Sequence, residues 1–213
     1  MRLAPVFVAL MASTVAQAAT PIDGWYAGVF GGYAYVPNNV NNTSYGLTRS
    51  NASYKPGFDA GGSFGYKSHP MRYEGELTYL KANLKDFTIN GVQQTNVGGY
   101  SDAIFAMANV YYDFPNLLNA LQPFLGVGIG YGWIQGKFDS HDPLLGSTQF
   151  KGQDSAFSYQ GTAGLTYNFS EEYALNIGYR YIATNQVNAL GKIFQAQLAN
   201  LGMVYRFDGK KYK

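Results

Sequence analysis

The chain has 213 residues, of which 13% are charged, about half the usual globular share of roughly 25%. Its formal net charge is +2, it has no Cys, and aromatics reach 16% with 19 Tyr, 14 Phe and 26 Gly. This composition excludes a charged disordered tail, a basic nucleic-acid surface, disulfides, thiolate metal sites and a lipid-anchored Cys.

The N-terminus, MRLAPVFVALMASTVAQAA, places Arg2 before an apolar run from Leu3 to Val15, and Ala16-Gln17-Ala18 fits a small-x-small cleavage site. The run is shorter than the roughly 20 residues a spanning helix needs. The expectation is a signal peptide over residues 1–18, a body over 19–207 and a short tail over 208–213.

Beyond this leader the chain alternates with period two, the period of strands. The uncharged run from Phe114 to Gly136 contains Pro115, Pro123, Gly126, Gly128, Gly130 and Gly132, which would cost several kcal/mol in a helix. Its glycines alternate with Leu125, Val127, Ile129 and Tyr131, as in a strand. Strands are expected at 24–36, 56–67, 71–83, 102–114, 123–137, 155–169, 173–184 and 193–207. They exceed the usual 5–6 residues and the roughly 9–11 that cross a membrane with tilt.

The connections alternate too. Short ones are Ser68-His69-Pro70, residues 115–122 and Ser170-Glu171-Glu172; longer ones are 38–55, 85–101, 138–154 and 185–192. Short turns on one rim and long loops on the other fit an all-β, eight-stranded antiparallel up-and-down transmembrane β-barrel. Both termini then lie at the short-turn rim, in the periplasm.

Parity separates two faces. Trp25, Ala27, Val29, Gly31 and Tyr33 share one; so do Phe58, Ala60, Gly62, Phe64 and Tyr66, then Tyr159 to Tyr167, then Tyr173 to Tyr181. In each, aromatics eight residues apart bracket small or aliphatic residues. Eight residues span about 26 Å, or about 20 Å of height after tilt, near the height of an outer-membrane apolar band with its aromatic girdles. A soluble exported β-barrel or sandwich would alternate without needing these brackets. Strand eight fits at Leu201, Met203, Tyr205 and Phe207, whereas Gln195 and Gln197 on the same face imply a position above the membrane or a bulge.

Charge collects on the opposite, inward face: Asp59, Lys67, Arg72, Glu74, Glu76, Asp113 and Arg180, with Asn109, Tyr111 and Gln160. Lys81 and Asp102, the outward exceptions, fall at the long-loop rim. Arg72, Glu74, Glu76, Asn109, Gln160 and Arg180 form the expected luminal polar cluster, either a structural plug or an ion gate, with Arg72 and Arg180 pairing to Glu74 or Glu76. Buried charges require such partners. Inward Gly28, Gly32, Gly61, Gly65, Gly126, Gly128, Gly130 and Gly132 leave room for Phe105, Met107, Tyr111 and the arginines, since eight strands enclose a lumen only as wide as its side chains.

The segments Trp25-Tyr26-Ala27-Gly28, Tyr73-Glu74-Gly75-Glu76, Ala108 to Phe114, Gly178-Tyr179-Arg180-Tyr181 and Tyr205-Arg206-Phe207 resemble the opacity-type and OmpA-like outer-membrane barrels, surface antigens and minor porins among them. The resemblance implies location in a Gram-negative outer membrane, contact with its lipid and lipopolysaccharide, and insertion by the barrel-assembly machinery. That machinery usually reads a C-terminal aromatic, whereas residues 208–213 follow Phe207 here.

No catalytic, cofactor or metal residue is expected, and no nucleic-acid partner. A lipid-active enzyme needs a His with a nucleophile or paired carboxylates near the outer rim. His69 falls in a short turn, and His141, between Asp139 and Asp142 with Lys151 nearby, has no anchored Ser partner. The expected function is a non-enzymatic surface barrel, adhesin or antigen, contacting host or environment through 38–55, 85–101 and 138–154. A narrow channel is the alternative.

Overall fold

Eight long antiparallel strands close on themselves in the computed structural model, which describes residues 23–37, 43–45, 48–54, 56–89, 92–93, 98–115, 120–142, 146–187 and 192–207. The expected leader and tail lie outside them. The wall consists of β1 (Gly24–Tyr35), β4 (Gly57–Ser68), β5 (Met71–Ile89), β7 (Gly98–Asp113), β8 (Leu121–Asp142), β9 (Gly146–Asn168), β10 (Tyr173–Val187) and β11 (Lys192–Arg206). Each pairs with the next, and β1 pairs with β11 to complete the ring. Three short strands, β2 (Thr43–Tyr45), β3 (Thr48–Tyr54) and β6 (Val92–Gln93), stand off this ring. Among the described residues no helix is long and apolar enough to cross a membrane.

Register sets the shape. Trp25 pairs with Tyr66, Tyr66 with Tyr73, Tyr73 with Val110, and Val110 with Val127. The line continues through Gly161, Tyr181 and Gln197 and returns to β1 at Tyr35, ten residues beyond its start. A stagger of that size over eight strands, at about 3.3 Å per residue and 4.8 Å between strands, tilts the strands by about 40°.

The expected faces are the observed ones. Val127 is 69% exposed and Leu77 61%, while Lys67 and Asp113 are each 2% exposed. An apolar exterior around a charged interior inverts the order of a water-soluble protein. Trp25, Tyr66, Tyr73, Tyr112 and Tyr173 ring the short-turn end on the outer face, and Tyr33, Phe58, Tyr79, Tyr131 and Tyr159 ring the other. Stacked Trp25 and Phe64, with centroids 5.1 Å apart, knit neighbouring strands of the lower girdle.

The wall strands match expectation to within two residues at the short-turn end. At the other end β1 and β4 stop one residue short of expectation and the remaining six overrun it, which corrects the boundaries of the long loops. Residues 138–154 are mostly strand: β8 and β9 stay in unbroken register out to Asp142 and Gly146. The 85–101 segment continues as β5 to Ile89, then β6, then β7 from Gly98, and 38–55 contains β2 and β3, of which β3 pairs with β5. Backbone pairing persists there although the regular alternation of apolar and polar residues has ended. The side chains of Asp139, His141, Asp142 and Lys151 lie outside those described.

Gln195 and Gln197 keep the outward register, opposite Ala183 and Tyr181 on β10; the irregularity comes one step higher, between Ala183 and Gln186. Gln197 also faces Tyr35 across β1. Both glutamines therefore sit at or above the upper girdle, where a polar side chain meets water.

Candidate functional site

The lumen is filled in layers. Alternate residues of every wall strand point inward, and tilt brings residues from all eight strands to common heights. Bulk on one strand faces glycine on the next: Tyr111, Asn109, Met107 and Phe105 of β7 lie opposite Gly126, Gly128, Gly130 and Gly132 of β8. A Cβ on Gly128 would strike Asn109 Oδ1, and one on Gly132 would lie 2.6 Å from the Phe105 ring. Those glycines are required by close approach, not by turn geometry.

The layer at the short-turn end is ionic. Asp113 receives Lys67 Nζ at 2.9 Å and Arg72 Nε at 2.8 Å. Lys67 also donates to Gln122 Oε1 at 3.2 Å. Arg206 donates to Asn168 Oδ1 at 2.6 Å beneath them. The Arg72 guanidinium lies 4.7 Å from the centroid of Tyr111 and 4.9 Å from that of Phe124, where the ring faces attract a cation. Just above, Glu74 accepts from Tyr26 Oη at 2.9 Å and Tyr111 Oη at 3.4 Å.

The middle layer holds most of the expected cluster. Glu76 is ion-paired to Arg180 Nη1. It also accepts from Thr78 Oγ1 at 2.6 Å and Asn109 Nδ2 at 3.1 Å. Gln160 Nε2 donates to Asn109 Oδ1 at 2.6 Å. Arg180 lies over Phe30, 4.4 Å from its centroid. Asn200 Nδ2 donates to Asp59 Oδ2 at 2.5 Å at the upper border. Glu76, Asn109, Gln160 and Arg180 are thus one network, and each member is buried.

Arg72 and Glu74 stand in the layer below. The expected pairing holds for Arg180 with Glu76, but Arg72 takes Asp113 instead of a glutamate. Lys67 and Arg72 are register partners beside the Ser68–Met71 turn, and Asp113 ends β7 at the same height. Equal distance from the short turns was the signal that could have revealed this triad.

The upper layer was expected only at Phe105 and Met107. Ala34, Val36, Leu80, Ala82, Ala103, Phe105, Met107, Ile134, Ala156, Ile182, Phe194, Ala196 and Leu198 form one buried apolar cluster across the lumen. Its signal was the loss of alternation at the upper strand ends, where Ala103, Ile104, Phe105 and Ala106 are apolar on both faces. Among the described residues, no group of His, Cys, Asp and Glu could hold a metal ion. Chemically, the described interior holds the Lys67–Asp113–Arg72 and Glu76–Arg180 ion pairs within hydrogen-bonded networks; His69 is an exposed turn residue.

Comparison with known proteins agrees with this geometry. Residues 4–207 match the outer membrane protein beta-barrel domain family. An outer membrane protein of Gluconacetobacter diazotrophicus is 26% identical over 94% of this chain and 57% of its own length. An uncharacterized protein of Brucella abortus is 30% identical over 65% of this chain and 56% of its own. The chain therefore spans under three-fifths of these curated relatives. Among solved structures, Neisserial surface protein A aligns with a TM-score of 0.58 at 17% identity, covering 86% of this chain and 97% of that one. OprG from Pseudomonas aeruginosa aligns with a TM-score of 0.55 at 14% identity, covering 89% and 99%. At such identities the structural likeness speaks to the fold alone. The family match runs over nearly the whole chain and coincides with a closed, inside-out barrel: the chain belongs to the outer membrane protein β-barrel family.

Proposed function

We propose that the protein is a sealed, non-enzymatic surface barrel of the outer membrane. A cleaved leader over residues 1–18 would send it across the inner membrane, and the barrel-assembly machinery would insert it. Lipid and lipopolysaccharide would surround its apolar belt. The β8–β9 hairpin and the β2–β3–β5 extension would face the surroundings, as an adhesin or surface antigen requires. The observation that carries this reading is the filled lumen. An eight-stranded wall leaves space only for side chains, and here an ionic, a polar and an apolar layer occupy it in turn.

A narrow channel for small solutes is the second reading, favoured by a cavity of about 60 Å³ inside the barrel. That cavity does not run through the apolar layer. Planar-bilayer recording of the purified protein decides between them. A sealed barrel gives no discrete conductance steps above the lipid baseline. Stable single-channel steps would overturn the sealed reading in favour of the channel.

A further inference from the structure

The layers differ in what they leave unsatisfied. Among the described residues, eight buried side-chain atoms lack a hydrogen-bond partner, and five belong to residues that line the 60 Å³ cavity: Arg72 Nη2, Arg180 Nε, Thr162 Oγ1, Asn176 Oδ1 and Asn200 Oδ1. Arg72 and Arg180 are more than nine-tenths buried. A buried polar atom without a partner costs about 1–3 kcal/mol, more when charged. The five include arginine donors and amide acceptors. An anion would satisfy only the first kind and a metal ion only the second. Water satisfies both, and a cavity of this size has room for about four waters.

A second cavity, of about 10 Å³, lies below, lined by Lys67, Asp113, Gln122 and Arg206 as well as by Arg72 and Asn176. Arg72 and Asn176 line both. Val204 also lines both, so the two cavities are neighbours, and polar side chains line the lumen at both levels.

The apolar layer ends this polar region. Leu80, Phe105, Ile134, Ile182 and Leu198 are at most 1% exposed. Two polar side chains at this height are engaged: Ser158 Oγ donates to the Ala156 carbonyl at 3.2 Å, and Thr184 Oγ1 accepts the Phe194 amide at 3.0 Å. Asp59, opposite Leu80 at the lower border of the layer, accepts from Asn200 through Oδ2 and keeps Oδ1 without a protein partner, so the polar region reaches up to it and stops there.

We infer that the lumen is a hydrated half-channel: water enters the polar layers from the short-turn end, and the apolar layer, rather than the Glu76–Arg180 ion pair, stops ions. Apolar constrictions block ions by excluding water. Phe105 and Phe194, with ring centroids 5.9 Å apart, are the bulk of this constriction. Behind Phe105 stands Gly132, so no neighbouring side chain replaces its ring. The inference rests on the sealed reading of the wild-type barrel.

The test compares three proteins in planar bilayers: wild type, Phe105→Ala/Phe194→Ala, and Glu76→Gln/Arg180→Met. Each is first shown to be folded by its heat-shifted gel mobility. The expected result is silence from wild type and from the charge-neutralised pair, and discrete steps from the layer-thinned protein. Steps from the charge-neutralised protein, or silence from a folded layer-thinned one, would overturn the inference while leaving the sealed wild type standing. Steps from wild type would sink the sealed reading itself.

Water-edited solid-state NMR of wild type in lipid gives an independent readout. Water should transfer to the Arg72 and Arg180 guanidinium protons and not to the Leu80, Ile134, Ile182 and Leu198 methyls. Dry guanidinium groups, or wet methyls, would contradict the half-channel.

Discussion

At the residue scale, Gly128 shows how the interior depends on missing atoms. Its Cβ position falls on the Asn109 side chain, which is itself fixed by Glu76 and Gln160. Gly128→Val should therefore destabilise the barrel by about 1–3 kcal/mol, the usual cost of overpacking. Urea unfolding in detergent measures it, and Asn109→Ala in the same protein should recover part of the loss. The Glu76–Arg180 pair makes a second case. Glu76→Gln leaves a buried guanidinium without its counter-charge and should cost about 3–5 kcal/mol. Glu76→Gln with Arg180→Met should cost less than Glu76→Gln alone, which the same urea midpoints compare. The inward placement of Glu76, Asn109, Gln160 and Arg180 was legible from parity. The partner of Arg72 was not, because parity gives a face and not a height. Height needs the register between strands, and register is a property of pairs of segments.

At the scale of elements, the strands were legible wherever lipid constrains them. Between the two girdles one face must be apolar, so the alternation is clean and the lower boundaries fall within two residues of expectation. Above the upper girdle the sequence reads Gly136-Lys137-Phe138-Asp139-Ser140-His141, with no consistent apolar face, although β8 continues to Asp142. There, strand pairing is carried by backbone hydrogen bonds, which leave no periodic mark on side chains. Above Asp139 this hairpin pairs only with itself, and of residues 138–150 only Phe138 and Asp139 also pair with β7. Replacing residues 138–150 with a tight turn should leave the wall intact, since Leu121–Gln135 would keep its pairing with Gln153–Tyr167. The shortened protein should retain a heat-shifted band, with stability changed by no more than about 1 kcal/mol. Loss of the folded band would show that the hairpin is needed to build the wall.

At the scale of the whole molecule, low charge and abundant Tyr and Gly follow from one arrangement. The outer face is uncharged because hydrocarbon tolerates charge poorly; an Arg or Lys at its midplane costs about 2–4 kcal/mol. Tyr and Trp mark its two edges. Glycine admits bulk from neighbouring strands into a lumen closed by a ten-residue stagger. Polar inward residues keep the mean hydropathy slightly below zero. The apolar upper layer of the lumen was legible only at Phe105 and Met107; that inward residues of the other strands meet them at one height depends on the register between strands.

The central claim, a closed barrel that spans the outer membrane, is tested most directly by gel mobility of protein extracted from outer membranes, with and without boiling. A closed barrel resists detergent because every wall strand is paired on both edges. The unboiled protein should migrate faster than the boiled one, and it should need detergent to stay in solution. Identical mobility before and after boiling, with solubility in plain buffer, would contradict the account.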